Sequence, residues 1–540
     1  MQESTNISSP YTMLGEATVE VRVRNAQLRV ALVGAMVVIA LAAGVFFRFA
    51  NLDKKFFWHD ESYTPLRAVG YTAAEVIDQL FDGHEIGVQD IRRYLQISPD
   101  KTAQDTISSL AAEDQEHPPF YFLVSRLWMR LVGDTPFDLR LLSVLFSLLV
   151  FPCIFWLCME LFKSRLTALI AVVLVSVSPV HVLYAQEARQ YALWTVMILL
   201  SSTLLLRAAR LKTPLSWVLY FLATVLGLYT HLFFVFVLPG HGLYMLVIEK
   251  LRPNRTLISF VLAALAAAVA FIPWIMVVIT NYQRLVTTNS WASNSVDLDY
   301  LSRYWILNLG YPFIDVDFGY DSWLTYLVRW PAIILIGFAL YYLFRTTPRQ
   351  VWLFVVTLIG VTAAAYLVPD LLTGGVRSTV SRYLFPCFIG IELAVAYALS
   401  GLLTSARMWS RWTGRAVAAT AVVVGVVSCT ISMGADTWWT KTVSPELPQV
   451  ARAVNASEHP LLIVSNPWPT NIGDAFSLSY MLDPKVRLEL VQDASAPVIP
   501  DGFSDVFLFN PTDVLWAQIE TDQHYQIDMT IPYSLWRAHK

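Results

Sequence analysis

Phe120-Tyr121-Phe122-Leu123-Val124-Ser125-Arg126-Leu127-Trp128-Met129-Arg130-Leu131-Val132 is the stretch on which the topology of the chain turns. It is apolar enough to suggest a membrane span, yet it is 13 residues long and carries two arginines. A bilayer core of roughly 30 Å needs about 20 apolar residues in a helix. Counting this stretch as a span would also invert every later segment and put Lys163 and Arg165 outside, against the bias of short basic loops to the cytoplasm. It therefore reads as an amphipathic helix lying along the outer interface, ended by Gly133-Asp134.

Around it stand eleven longer apolar stretches: 27–49, 139–162, 166–185, 190–206, 214–230, 232–248, 256–280, 323–344, 350–368, 383–404 and 414–433. The chain of 540 residues is 56% hydrophobic and 15% charged, with mean hydropathy +0.51. Ordinary soluble domains run about 45–50% apolar and about 25% charged, so the expected fold class is an α-helical polytopic membrane protein. A net charge of −3 argues against nucleic acid as a partner. Alternating the spans collects Arg22, Arg24, Arg29, Lys163, Arg207, Arg210, Lys212, Lys250, Arg345 and Arg411 on one side, while the short opposite loops hold Arg189, Arg377 and Arg382. Residues 1–26 are therefore expected to be cytoplasmic, and the C-terminus extracytoplasmic. No small-residue cleavage site follows the first span, so it reads as a retained anchor.

Three outer segments follow. Residues 50–117 and 434–540 each carry 13 acidic and six basic residues. In the first, Thr72–Leu80 and Ile91–Leu95 suit short surface helices. In the second, strand-like runs (461–464, 486–491, 506–509, 525–529) alternate with helix-like ones (448–456, 475–482, 512–520), the pattern of a small α/β domain. Residues 281–322 are rich in aromatic and acidic side chains. The expected division is a segment 1–26, a transmembrane domain 27–433 with outer loops 50–138 and 281–322, and an extracytoplasmic domain 434–540. All four cysteines fall inside spans, which implies no disulfide framework.

Four clusters could carry chemistry. Phe56-Phe57-Trp58-His59-Asp60-Glu61-Ser62-Tyr63 hangs two carboxylates at the headgroup level, where they could take a proton from an incoming hydroxyl, although an acidic surface loop would look the same. Glu116-His117-Pro118-Pro119 ends the first loop and starts the interfacial helix; a capped helix start with an incidental histidine fits equally. Gln186-Glu187-Ala188-Arg189-Gln190-Tyr191 is so short that its charges must sit at the outer membrane boundary, as a site or as a local ion pair. Arg382-Tyr383 at an outer mouth suits a phosphate at headgroup height or a helix anchor. Glu392 lies deeper and unassigned. There is no glycine-rich nucleotide loop and no convincing metal spacing, so any donor must come from the membrane itself.

In order and sidedness, Asp60-Glu61, His117-Pro118-Pro119, Glu187/Arg189 and Arg382-Tyr383 resemble the membrane-embedded C-type glycosyltransferases related to protein O-mannosyltransferases and aminoarabinose transferases, over roughly residues 27–404. The resemblance implies an inverting enzyme of the bacterial plasma membrane that moves a sugar from a polyprenyl-phosphate donor to a protein, lipid or glycan acceptor on the outer face. It implies Asp60, Glu61 and Glu187 as catalytic acids, Arg382 as the grip on the carrier phosphate, and Tyr63, His117, Arg189, Tyr191 and Tyr383 as lining. No cofactor is implied with certainty, and a divalent metal stays open. The tail does not resemble the carbohydrate-binding inserts of eukaryotic mannosyltransferases, so the acceptor is unassigned. Two other readings are a transporter or flippase of lipid-linked saccharide and a non-catalytic subunit of a polysaccharide assembly complex. Paired repeats and midplane charges, which mark transporters, are not evident.

Overall fold

A computed structural model describes residues 34–465, 469–492 and 499–539. The expected cytoplasmic segment 1–26 and the start of the first apolar stretch lie outside the described residues. Each of the eleven apolar stretches coincides with helix. Seven of these helices are long and apolar enough to cross a membrane; an eighth is the bent pair Arg165–Ser176 and Pro179–Ala185. Gly34–Phe49, Pro214–Thr230 and Leu232–Ile248 are shorter apolar helices, so among the described residues seven or eight of the eleven stretches are long enough to cross a membrane. The chain is a multi-pass membrane protein.

Local sequence explains the helix ends that matter for the site. Pro136–Phe162 starts on a reciprocal cap between Thr135 and Asp138, with proline in its first turn. The bent pair breaks by 58° at Val177-Ser178, where Pro179 restarts the helix. The short second half delivers the turn 186–190 to the outer end of the bundle. Gln186 there donates to the carbonyls of Phe47 and Ala50 and so ties that turn to the end of the first helix. At the opposite end of Pro136–Phe162, Glu160 gathers Arg207 and Arg210. Phe120–Leu131 is a helix with Leu127 and Leu131 exposed, as expected of an amphipathic element.

The outer part is a six-stranded sheet flanked by helices. Its strands are β1 (Asp82–Gly87), β2 (Pro460–Ser465), β3 (Arg487–Val491), β4 (Asp505–Phe509), β5 (Gln526–Ile531) and β6 (Leu535–His539), in the order β1-β3-β2-β4-β6-β5. β2 is parallel to both neighbours and wholly buried, which is why it reads as an unbroken apolar run. The first strand comes from the loop after the first helix and pairs antiparallel with β3. The small C-terminal sheet domain is thus completed from the other end of the chain. Its core is shared too: Phe56, Trp58 and Leu66 pack in one cluster with Ile472, Phe476 and Leu478.

The helix His59–Val69, whose first turn carries Asp60 and Glu61, lies directly beneath Pro469–Ser479 of that domain. Acidic residues in a first turn face the positive end of the helix dipole, and Gly70 at φ 104° closes the other end. Contact is closest at Gly473, where an added Cβ would lie 2.2 Å from Nδ1 of His59. Gly473→Val should therefore separate the domain from the helix beneath it, at a cost of about 1–3 kcal/mol. Faster protease cleavage within 435–446 than in the parent chain would show this; unchanged cleavage would mean the contact is slack.

Candidate active site

Glu61 is the centre of a buried charge network. Its side chain is 0% exposed and takes two bonds from Arg140, at 2.8 and 2.7 Å. The Ala188 amide donates a third at 2.8 Å, and the Lys441 ammonium lies 3.2 Å away. Lys441 also reaches Glu187 at 3.2 Å. Burial alone would raise the Glu61 pKa, but Arg140 and Lys441 outweigh it and hold the carboxyl well below its usual range. Glu187 goes the other way: burial and the nearby Glu61 charge raise it, although Lys441 opposes them. One Glu187 oxygen, Oε2, has no partner among the described residues.

Arg140 and Lys441 were not singled out from sequence. Arg140 was discoverable, being a charge in the first turn of a span, where charges are costly. Lys441 carried no signal, since it lies in a polar tail hundreds of residues from Glu61. It is brought inward because Trp438 and Trp439 both donate ring N–H bonds to buried Asp315, at 2.6 and 2.8 Å. That carboxylate belongs to the outer segment 281–322 and also pairs with Arg329 at 3.4 Å.

Asp60 has a different environment from its neighbour. One residue along a helix turns the side chain by about 100°, and Asp60 meets Arg382 at 3.5 Å. Both keep open surface, 18% for Asp60 and 17% for Arg382, whereas Glu61 and Glu187 are sealed at 0% and 2%. Burial works against the Asp60 charge, but Arg382 and Arg189 lower its pKa on balance. Arg382 lies in a short turn before Phe385–Thr404, fixed by Ser381 donating to Asn308 at 2.6 Å. Its guanidinium stands over Trp58 and Tyr383.

Arg189 donates to the Asp60 carbonyl at 2.9 Å and contacts Nε2 of His117. Burial, reinforced by Arg189, brings the His117 pKa down to about 4, so its ring is neutral near pH 7. Tyr383 joins an aromatic wall with Phe233 and Tyr366. Tyr191 is 2% exposed and forms a wall behind the arginines. Tyr63 packs on Phe476 with Arg67 over its ring. Arg377 is engaged elsewhere, by Asp370 at 3.0 Å. Glu392 pairs with His181 at 3.0 Å, deeper in the bundle. Among the described residues, no group of three or more His, Cys, Asp or Glu is placed to hold a metal ion.

Comparison with known proteins agrees with this architecture. Residues 116–277 match the family model described as dolichyl-phosphate-mannose-protein mannosyltransferase. An undecaprenyl phosphate-alpha-4-amino-4-deoxy-L-arabinose arabinosyl transferase of Pectobacterium atrosepticum is 25% identical over 296 residues, 53% of this chain and 50% of that protein. Its counterpart in Pectobacterium carotovorum is 24% identical over 301 residues, 54% and 50% of the two chains. The chain spans about half the length of the curated relatives it matches. The crystal structure of ArnT from Cupriavidus metallidurans bound to undecaprenyl phosphate superposes with a TM-score of 0.54 at 15% identity, covering 93% of this chain and 97% of that one. The apo structure of the same protein gives 0.50, covering 94% and 98%. The chain has the C-type glycosyltransferase fold and resembles the aminoarabinose transferases.

The two adjacent acids should part company on substitution. Glu61→Gln leaves two buried cations short of charge, and about 3–5 kcal/mol of stability should go with it. Asp60→Asn touches a half-open pair and should change stability by no more than about 1 kcal/mol. Thermal melts in detergent measure both, and equal losses would contradict the assignment of the network to Glu61.

Proposed function

We propose that this protein transfers a sugar, with inversion, from a polyprenyl-phosphate donor to an acceptor on the extracytoplasmic face of a bacterial plasma membrane. The observation that carries this reading is the Asp60–Arg382 pair, a carboxylate and a guanidinium 3.5 Å apart, both with open surface. The names of the similar proteins support the donor class.

The chemistry follows from the charges. The acceptor's nucleophilic oxygen attacks the anomeric carbon, and the bond from that carbon to the phosphate oxygen breaks. The electron pair leaves with the phosphate, where Arg382 meets the growing negative charge. Such a leaving group needs no proton, so one cation and one carboxylate suffice, unlike the paired acids of glycosidases. Asp60 receives the acceptor proton late, once the attacking oxygen has become strongly acidic. Arg189 and neutral His117 hold the Asp60 backbone and side-chain surroundings in place. Glu61 and Glu187 act as positioning residues through Arg140 and Lys441. The aromatic wall of Phe233, Tyr366 and Tyr383 suits the first isoprene units of the carrier. The acceptor stays open to protein, lipid or glycan.

Purified full-length protein supplied with a labelled polyprenyl-phosphate sugar tests this. Asp60→Asn should lower turnover by about 10²–10⁴-fold while donor binding persists. Arg382→Ala should weaken donor binding by about tenfold or more. Full turnover in Asp60→Asn would remove that residue from the mechanism, and unchanged donor affinity in Arg382→Ala would place the phosphate elsewhere. Because Asp60 is held below its usual range, its charge is lost only in strong acid. Turnover should therefore stay flat from neutral pH down to about 4, the ordinary aspartate value, and fall only below it.

A further inference from the structure

A cleft of about 630 Å³ separates the membrane body from the C-terminal domain. Lys54, Lys55, Phe57 and Phe137 wall it on the membrane side, and Arg452 and Tyr480 on the other. It opens just beyond Phe49, the end of the first apolar helix, and beside Pro136, the start of the next, which is headgroup height. The carboxylates on its rim, Asp53 and Asp436, are exposed, and Asp436 is engaged by Arg452 at 3.5 Å. No residue assigned to sugar transfer lines this cleft.

Lys55 is the anomaly. It is only 5% exposed, and its ammonium, which keeps some solvent contact, has among the described residues neither a hydrogen-bond acceptor nor a carboxylate within ion-pair distance. The other buried cations nearby are paired: Arg140 and Lys441 with Glu61, and Arg67 with Glu113. A largely buried amine without a partner is costly to charge, and an anion seated in the cleft would offset that cost. The Lys55 carbonyl is fixed by Arg140 at 2.8 Å, so the segment cannot swing out freely to solvate the side chain. Burial, with Lys441 and Arg140 nearby, pushes the ammonium down to about 7.

We propose that this cleft binds the net-anionic phosphate headgroup of an outer-leaflet lipid, as opposed to a zwitterionic one that carries its own cation, with Lys55 as the cation that the phosphate completes. Lys54 and Arg452 add positive charge at the rim. Phe57 and Tyr480, packed edge to face at 5.2 Å, close the cleft with an apolar floor beneath the glycerol region, and exposed Phe137 faces the acyl side. This site is independent of the transfer reading: a chain with no transferase activity would still bind the headgroup.

Full-length protein in nanodiscs, treated with pyridoxal phosphate and then borohydride, gives the test. The Lys55 amine adds to the aldehyde with loss of water, and borohydride reduces the imine to a stable secondary amine that peptide mass mapping locates. In phosphatidylcholine discs, Lys55 should be labelled readily at neutral pH, because burial lowers its pKa and enlarges its free-amine fraction. Phosphatidylglycerol discs should suppress that labelling at Lys55 by about tenfold, as a bound competitor at ten times its dissociation constant would. Protection by inorganic phosphate but not by phosphatidylglycerol would overturn the lipid assignment in favour of a free anion. Equal labelling of Lys54 and Lys55, protected by neither, would remove the site.

Discussion

The carboxylate of Glu61 holds four separate parts of the chain at one point. Its own helix, the first turn of Pro136–Phe162 through Arg140, the turn at Ala188 and the linker at Lys441 all converge on two oxygens. None of these partners is near another in sequence. Ion pairs this deep stabilise little in net terms when intact, because desolvation offsets the attraction. What they give is geometry, since losing any one partner leaves an uncompensated charge. The network fixes where Asp60, Arg189 and Arg382 can stand, although none of those three belongs to it.

Adjacent acids with opposite fates are a direct result of helical periodicity. Asp60 and Glu61 follow one another, so one side chain enters the network while the other turns toward the open pair with Arg382. Glu187 shows the same division across a turn: it is sealed against Lys441, while Arg189, two residues on, reaches Asp60 and His117. Rigid inner charges and accessible outer ones are therefore built from the same short motifs. Such support from behind is what keeps reacting groups in a productive arrangement.

Much of this was legible beforehand. Apolar length alone located every helix of the bundle, because a bilayer imposes a minimum run. Charge on the short loops set Phe120–Val132 apart from the spans, and it forms a separate helix of 12 residues, while alternation of strand-like and helix-like runs located the tail's elements. The meeting of Asp60 with Arg382 followed from sidedness. Three of the eleven expected spans are shorter helices among the described residues, since apolar character says nothing of where a helix starts or bends. Asp82-Gly83-His84-Glu85-Ile86-Gly87 carried no strand signal of its own; it becomes a strand only because β3 offers an unpaired edge. Nor could sequence tell which of Asp60 and Glu61 would be sealed, as that depends on Lys441, whose approach is set by Asp315 and two tryptophans.

The edge strand contributed by residues 82–87 has a bearing on biogenesis. Gly87 pairs with Arg487, so β1 is synthesised long before its mate β3 appears. During that interval its backbone donors and acceptors face water and any passing extended peptide, a hazard of unpaired edges. Pairings so distant along the chain also form slowly. Completion of the sheet is consequently gated by β3, and a product truncated before it would display an open, adhesive rim.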